Sequence, residues 1–281
     1  MSATVGAALA EAAALLEAAG VPDARRDARA LMADALGVPA AGVTPALGEA
    51  LPEAAAAAFA GHVAARTARR PVSQILGRRA FWGRDFEVTA DVLDPRPETE
   101  TLVACALEGP PPGRVADLGV GSGAILVSLL AAWPQASGVG TDSSAAALAV
   151  AARNAARHGM ASRAAFLRTD WIEGLEGPFD LVVSNPPYIP AGEVEGLAPE
   201  VRDWEPRVAL TPGPRGLEAY ERIAVGLGAA LAPGGRGLFE FGAGQGPAVA
   251  ETFAARGFAV VGLRADLDGR ARVLEIRRDP A

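Results

Sequence analysis

The chain has 281 residues, half of them apolar, and a formal net charge of −7. This length and composition can form one α/β domain with a small second domain, and they argue against intrinsic disorder. The acidic balance also argues against a protein that coats nucleic acid by neutralising its phosphates.

The residue types exclude several kinds of chemistry. All 26 basic residues are arginine, since the chain has no lysine. The sequence therefore excludes a lysine Schiff base and a phosphate-binding loop that uses a lysine. The single cysteine, Cys105, cannot form an internal disulfide, which fits a reducing cytoplasm. Its two possible partners as metal ligands, His62 and His158, lie far apart in sequence, so no metal site is predicted. No basic leader and no apolar run of ~20 residues is visible, so we expect a cytoplasmic protein without membrane contact.

The first part of the chain, residues 1–70, is predicted to be a small helical domain. Its apolar spacing predicts helices at about 5–19, 24–36 and 52–70. Gly20, Gly37 and Gly48 are expected to act as C-terminal stops of helices there. Residues 71–111 are predicted to contain a hairpin connector around Gly83 and a linking helix.

Residues 112–281 are predicted to form an α/β domain with a mostly parallel sheet, because apolar strands and amphipathic helices alternate there. Strands are expected near 114–118, 138–141, 164–168, 179–184, 235–241, 258–263 and 271–276, and helices near 124–132, 144–157, 217–231 and 246–256. Only a short turn at Asp268-Gly269 separates the last two strands, so they should pair antiparallel. The irregular stretch 189–215 is long enough to indicate a functional loop.

A glycine-rich turn follows the first strand of this domain. Gly119, Gly121 and Gly123 permit a tight turn and a close approach of a ligand to the backbone. Asp142 ends the next strand, at the position where a ribose is held in nucleotide-binding sheets. The loop alone also satisfies a relaxed dinucleotide fingerprint. The third glycine at 123 and the acid Asp117 before the loop favour the cationic cofactor S-adenosylmethionine over a nicotinamide.

A second motif, Asn185-Pro186-Pro187-Tyr188, directly follows the strand at 179–184. The prolines end the strand and donate no backbone hydrogen bonds, so carbonyl acceptors are expected beside the Asn185 side-chain oxygen. A planar amide or exocyclic amine, with two N–H donors on one nitrogen, would fit such a pair of acceptors. Tyr188 offers a flat ring against which that group could stack.

These two motifs resemble those of Rossmann-like amino-methyltransferases, and further segments resemble the peptide chain release factor glutamine methyltransferases, the HemK or PrmC family. The resemblance covers about residues 10–278. It rests on the segments 71–77, 81–82, 95–100, 170–171, 200–206, 216–217, 240–242 and 245–246. Two departures are Asp94, where the family usually has an apolar residue, and Val120, where threonine is common. The packing of the connecting segment around Asp94 is therefore left open.

The resemblance implies a Rossmann-like sheet with its last strand antiparallel and an N-terminal helical domain that recognises the substrate. It also implies the roles of the site residues. The cofactor-binding residues would be Gly119, Val120, Gly121, Ser122, Gly123, Asp142, Trp171 and Asn185. The catalytic residues would be Asn185, Pro186 and Tyr188, and Pro187 would join these three in binding substrate.

The activity implied is methylation of the glutamine in the Gly-Gly-Gln motif of peptide chain release factors, with S-adenosylmethionine as cofactor. A monomer that does not bind nucleic acid directly is expected. The alternatives are a glutamine methyltransferase acting on a ribosomal protein, a DNA or RNA amino-methyltransferase, and a non-catalytic cofactor-binding module. The acidic charge and the lack of an additional segment for base flipping disfavour the nucleic-acid enzymes.

Several other residues have two open interpretations. Arg96 and the acids Glu98 and Glu100 either form a capping and salt-bridge cluster or line the pocket. The segments 200–207 and 81–82 are candidate substrate contacts on resemblance alone.

Overall fold

The structure is a computed structural model that describes residues 3–279. Its contacts divide the chain into two compact units. The first contains the residues up to Arg78 together with Ala198–Trp204. The second contains Arg79–Leu197 and the residues from Glu205 onward.

The regular elements follow the predicted alternation. The helices are α1 (Val5–Ala18), α2 (Ala24–Ala35), α3 (Glu53–Thr67), α4 (Val72–Leu76), α5 (Glu100–Leu107), α6 (Ala124–Ala132), α7 (Ala145–Arg157), α8 (Pro199–Arg202), α9 (Arg207–Leu210), α10 (Glu218–Ala230) and α11 (Gly246–Ala254). The strands are β1 (Arg78–Phe81), β2 (Arg84–Glu87), β3 (Arg114–Leu118), β4 (Ser137–Asp142), β5 (Ala164–Arg168), β6 (Phe179–Ser184), β7 (Leu231–Glu240), β8 (Ala259–Ala265) and β9 (Ala271–Arg277).

The first unit is a helical bundle. The Thr4 hydroxyl caps α1 by accepting the Ala7 N–H at 3.2 Å. Gly20 follows α1 with a left-handed φ of 74°, the conformation in which glycine commonly terminates a helix. Side chains from α1, α2 and α3, among them Leu16, Leu31 and Phe59, form a separate hydrophobic core. Burial of these apolar surfaces is what keeps such short helices folded.

The segment Ala198–Trp204 is held in this unit by a partly buried charge network. Glu200 accepts two hydrogen bonds from Arg69, both at 2.7 Å, and one from Arg66 at 2.8 Å. Arg66 also donates to Asp27 at 2.8 Å. Burial by itself would raise the pKa of Glu200, but the hydrogen bonds from Arg69 and Arg66 lower it to about 2. Glu200 is therefore ionised at neutral pH and fixes α8 to the helical unit.

The second unit starts with the predicted hairpin, β1–β2. Its two turn residues, Trp82 and Gly83, both have positive φ, at 47° and 69°. This is the requirement of a type I′ turn, whose twist matches that of the flanking strands. Phe81 and Phe86, on either side of the turn, are buried and pack edge to face, with 6.1 Å between their ring centroids.

The main sheet has the order β5-β4-β3-β6-β7-β9-β8. The pairs from β5 to β7 are parallel, whereas β9 is antiparallel to both β7 and β8. The predicted antiparallel pairing of the last two strands is therefore confirmed, as is the Rossmann-like fold class. β9 lies between β7 and β8, so the single antiparallel strand is internal to the sheet.

Helices cover both faces of the sheet. Val115 of β3 packs in a core with side chains of α5, α6 and α7, and its neighbour Ala116 packs in a second core with side chains of α10 and α11. This alternation follows from the two-residue period of a strand. The strand order reverses at β3, which has β4 on one side and β6 on the other. In open α/β sheets the ligand crevice lies at the carboxyl ends of the strands at such a point.

Within residues 3–279, no single helix has both the length and the apolarity of a membrane span. The bent pair Ala24–Ala35 and Ala40–Gly48 meets the two criteria only when its members are taken together.

Candidate active site

A cavity of about 490 Å³ lies where the sheet order reverses. This volume falls within the range of small-molecule sites, about 300–1,000 Å³. The cavity is lined by eight of the eleven residues to which the sequence analysis assigned a cofactor, catalytic or substrate role, Gly119, Val120, Gly121, Ser122, Asp142, Trp171, Asn185 and Pro187. Gly123, Pro186 and Tyr188 are not among its lining residues.

The glycine loop has the backbone that its composition predicts. Gly119, Gly121 and Gly123 have φ values of 73°, 52° and 82°, all left-handed, and α6 begins directly after them. Asp142 at the end of β4 holds the loop. Its Oδ2 accepts the Gly121 N–H at 3.1 Å, and its Oδ1 accepts the Ser144 N–H at 2.9 Å. Burial raises the pKa of Asp142, and the backbone hydrogen bonds oppose that rise.

Trp171 covers one side of this loop. Its φ of 56° is unusual for a bulky residue, and its carbonyl accepts a hydrogen bond from the Thr141 hydroxyl at 2.7 Å. A Cβ on Gly119 would lie 3.1 Å from the indole ring, which is tighter than an ordinary van der Waals contact, and the left-handed φ of 73° also favours glycine there. Strained residues of this kind concentrate at ligand sites. The indole ring therefore lies next to the glycine loop, as expected if both contact the cofactor.

Asp117, which the sequence suggested as a partner of a cationic ligand group, has a different contact. It is fully buried, and its Oδ2 accepts the N–H of Leu126 in the first turn of α6 at 3.1 Å. Its Oδ1 has no hydrogen-bond partner within residues 3–279. Burial raises the pKa of Asp117 to about 7. Asp117 does not line the cavity and instead fixes the helix that follows the loop.

The raised pKa of Asp117 predicts a pH-dependent stability. The protonated carboxyl stabilises the fold fully below about pH 4, and this contribution is lost as the pH rises through about 7. We therefore expect the free energy of unfolding to decrease between about pH 5 and pH 8. In Asp117→Asn, which stays neutral, the decrease should be smaller by on the order of 1–4 kcal/mol. Urea unfolding at the two pH values measures this difference. Asp85→Asn, at an exposed position, is the control. An identical decrease in the free energy of unfolding in wild type and Asp117→Asn would contradict the prediction.

The Asn-Pro-Pro-Tyr turn is fixed at both ends. The Asn185 Nδ2 donates to the Thr99 hydroxyl at 3.0 Å. The Tyr188 carbonyl accepts from Gln245 Nε2 at 2.8 Å, and the Gln245 Oε1 accepts the Gly242 N–H at 3.0 Å. The turn therefore has a defined conformation, in which Asn185 lines the cavity and its side-chain nitrogen is hydrogen-bonded to another residue of the protein.

Two glycines make room for Tyr188. A Cβ on Gly216 would lie 2.3 Å from the Tyr188 carbonyl oxygen, and one on Gly242 would lie 2.9 Å from the tyrosine ring. Burial raises the pKa of Tyr188 to about 12. In the sequence, the motifs at 216–217, 240–242 and 245–246 were noted only for their resemblance to the family, and no role was assigned to them. The structure shows that their members support the Asn-Pro-Pro-Tyr turn from behind.

The segment before α5 contributes to the cavity as well. Arg96 and Thr99 line it, and Arg96 donates to both carboxylate oxygens of Glu205, at 2.6 and 2.8 Å. Burial raises the pKa of Glu205 to about 7, with Arg96 opposing the rise. Glu100 accepts the Trp82 N–H at 2.7 Å and so stabilises the hairpin turn. Arg96 therefore both lines the cavity and forms an ion pair, so the two open interpretations are not exclusive for this residue.

Sequence reasoning missed two contributors to the site and left a third undefined. Thr99 was not chosen, although it bonds to Asn185, and Thr141, which holds the Trp171 backbone, was not chosen either. Asp94, whose effect was left open, is buried and lines the cavity, with its Oδ2 3.9 Å from Arg79. No cluster of three or more metal-ligating side chains occurs in the described part of the chain.

Comparisons with known proteins agree with this geometry. Residues 92–198 match the Methyltransferase small domain family, and residues 7–77 match the PrmC N-terminal domain family. The release factor glutamine methyltransferase of Cereibacter sphaeroides is 54% identical, over 93% of this chain and 94% of its own. That of Rhodospirillum rubrum is 45% identical, over 95% and 82%. A methyltransferase structure from Pyrococcus furiosus, 17% identical with a TM-score of 0.54, covers 71% of this chain and 91% of its own and shares the fold. The chain belongs to the release factor glutamine methyltransferase family.

Proposed function

We propose that this protein transfers a methyl group from S-adenosylmethionine to the side-chain amide nitrogen of a glutamine in a peptide chain release factor, within its Gly-Gly-Gln motif. The observation that carries the proposal is the position of Asn185. Asn185 lines the cavity and its side-chain nitrogen donates to Thr99, so the carboxamide oxygen remains available as an acceptor for a substrate N–H.

The residues around the cavity fit the cofactor. Two left-handed glycines of the lining, Gly119 and Gly121, give close access to the backbone, Trp171 offers an aromatic ring, and Asp142 offers a half-buried carboxylate at the carboxyl end of β4. These groups match an amino acid tail, an adenine and a ribose, respectively. When bound, S-adenosylmethionine supplies an electrophilic methyl group on a sulfonium.

The contribution of the protein to the reaction is orientation. A glutamine amide nitrogen is a poor nucleophile because its lone pair is delocalised into the carbonyl. Two acceptors, the Asn185 side-chain oxygen and the Pro186 carbonyl, would hold the two amide hydrogens and direct the nitrogen. Such positioning can supply up to roughly 7–11 kcal/mol in model reactions. We propose that Tyr188, the last residue of this turn, packs against the plane of the substrate amide.

We further propose that the helical unit contributes to recognition of the substrate protein. The turn at 185–188 presents acceptors for an amide group, and many proteins display such groups. Selectivity must therefore come from contacts elsewhere, and binding energy gathered there can be used to position the target glutamine. We propose that the enzyme acts as a monomer in the cytoplasm, where release factors act, and that it does not bind nucleic acid directly.

The test is a labelled-methyl transfer assay that offers a release factor, ribosomal proteins and duplex DNA side by side. Label on the release factor glutamine alone supports the proposal. Label on a ribosomal-protein glutamine would favour a glutamine methyltransferase that acts on a ribosomal protein, and label on DNA would favour a nucleic-acid amino-methyltransferase.

Asp142→Ala is expected to weaken cofactor binding by ~1–3 kcal/mol, because the ribose hydroxyls and the Gly121 N–H both lose an acceptor. Calorimetric titration with S-adenosylmethionine measures the dissociation constant directly. The exposed Asp85→Ala serves as the matched control. An unchanged dissociation constant in Asp142→Ala would place the ribose elsewhere in the cavity.

A further inference from the structure

The side chain of Gln245 bridges two backbone groups near the carboxyl ends of β6 and β7. Its Nε2 donates to the Tyr188 carbonyl at 2.8 Å, and its Oε1 accepts the Gly242 N–H at 3.0 Å. Tyr188 ends the turn that follows β6, and Gly242 lies two residues after the end of β7. Gln245 itself directly precedes α11, so one carboxamide connects three segments of the chain.

The polarity of the two partners fixes the orientation of this carboxamide. A backbone carbonyl can only accept a hydrogen bond, and a backbone N–H can only donate one. The nitrogen of Gln245 therefore faces Tyr188, and its oxygen faces Gly242. A carboxamide rotated by 180° would place two oxygens together at one end of the bridge and two N–H donors together at the other.

The bridge lies where the sheet itself cannot connect the two strands. The parallel register of β6 and β7 runs to the pair Ser184 and Phe239. Pro186 and Pro187 follow in the chain and have no N–H, so they cannot donate to the neighbouring strand. A glutamine side chain ends in the same donor and acceptor groups as a peptide unit. The carboxamide of Gln245 thus supplies a connection that the prolines remove from the ladder.

Two glycines leave the space that the bridge occupies. A Cβ on Gly216 would lie 2.9 Å from the Gln245 Nε2 and 2.3 Å from the Tyr188 carbonyl oxygen. A Cβ on Gly242 would lie 2.7 Å from the Gln245 Oε1. Cβ atoms essentially never approach another heavy atom below 3.0 Å. Each end of the carboxamide is therefore matched to a position that has no side chain.

We propose that Gln245 is a positioning residue for methyl transfer, because it directs the Pro186 carbonyl through the stiff end of the turn. The proline rings lock φ at about −65° at both 186 and 187, so the chain between Pro186 and Tyr188 has few ways to move. Holding the Tyr188 carbonyl therefore also directs the Pro186 carbonyl, the second acceptor for the substrate amide. This inference rests on the proposed function, which assigns that acceptor role. Gln245 is not among the residues that line the cavity.

The first test removes the bridge without adding charge. Gln245→Leu is similar in size but has no donor or acceptor, and it is expected to lower kcat about 10- to 100-fold, since a displaced acceptor misdirects the amide nitrogen. The dissociation constant for S-adenosylmethionine should stay near the wild-type value. The protein should stay folded, because the Gln245 side chain does not cap α11 and the Ile189 N–H still donates to the Leu210 carbonyl at 3.0 Å.

The second test restores the bridge by protonation. In Gln245→Glu the protonated carboxyl can donate to the Tyr188 carbonyl and accept the Gly242 N–H, as the carboxamide does. The ionised carboxylate has no donor, and its repulsion from the Tyr188 carbonyl raises the pKa of the introduced group above ~4.3. The kcat of Gln245→Glu relative to wild type should therefore rise several-fold between about pH 8 and about pH 5.5. For Gln245→Leu this ratio should stay constant, which distinguishes the hydrogen bonds from the shape of the side chain.

Two controls accompany the pH series. The charged groups near Tyr188 are Glu240, Arg272, Arg96 and Glu98. Burial raises the pKa of Glu240 to about 7, so this group titrates in the wild type over the same range. Each rate is therefore divided by the wild-type rate at the same pH. Gln135→Glu, at an exposed position before β4, introduces the same charge and should match the wild type at every pH.

A measurement without turnover separates this inference from the proposed function. By NMR, the Gly242 N–H should exchange with deuterated solvent at least about 10-fold faster in Gln245→Leu than in the wild type. That result, combined with a wild-type protein that does not methylate release factors, would refute the function and not the bridge. Unchanged exchange at Gly242 or a wild-type kcat in Gln245→Leu would overturn the inference. So would a kcat ratio of Gln245→Glu that stays as low at about pH 5.5 as at about pH 8.

Discussion

Replacing Asn185 by alanine is expected to lower kcat by on the order of 100-fold or more, because the substrate amide loses the acceptor that orients it. Binding of S-adenosylmethionine should change little, since the glycine loop, Asp142 and Trp171 are untouched. A stopped assay of methyl transfer to a release factor gives kcat, and calorimetry gives the cofactor affinity. A fall in both by the same factor would mean that Asn185 acts mainly through the cofactor.

The chain contains a useful contrast to this substitution, its only other asparagine, Asn154. Asn154 is fully buried and bridges two segments, because it donates to Ser122 and Glu87 carbonyls and accepts the Glu87 N–H. Asn154→Ala should lower the melting temperature strongly, whereas Asn185→Ala should lower activity without a comparable loss of stability. Asn185→Ala at the wild-type turnover rate would refute the orientation mechanism.

The sheet was predictable from the sequence because its signals are local. The predicted strand at 179–184 and the predicted helix at 124–132 match β6 and α6 to the residue. Each is a short apolar segment with one clear boundary. Pro186 follows the strand, and Gly123 precedes the helix. β7 starts at Leu231, four residues before its predicted start. The predicted start was later because Pro233 and Gly234 are typical of a turn.

The support of the site could not be predicted, because it depends on contacts between segments far apart in sequence. Thr99 and Asn185 are 86 residues apart, and Tyr188 and Gln245 are 57 apart. No periodicity connects such positions. The placement of Ala198–Trp204 in the helical unit is of the same kind, because it depends on Glu200 finding two arginines 131 and 134 residues away.

A folded release factor is expected to be methylated with a kcat/KM at least on the order of 100-fold higher than a short peptide containing Gly-Gly-Gln. Both substrates present the same amide to the turn at 185–188. Only the whole protein can gain binding energy from surfaces outside the cavity. Duplex DNA should accept no label. Equal values for the peptide and the whole protein would mean that recognition is confined to the cavity.

Surface variants can assign this extra binding energy to the helical unit. The large apolar side chains exposed on the described part of that unit include Leu15 at 51% and Leu47 at 38%. Leu15→Ser with Leu47→Ser should raise the KM for the release factor several-fold and leave the rate on the peptide unchanged. Val261→Ser on β8, 52% exposed in the wild type, is the matched control and should affect neither substrate. A loss of rate on both substrates in the double variant would instead indicate damage to the fold, which its melting temperature would show. An unchanged KM for the release factor would place the recognition surface away from these two leucines.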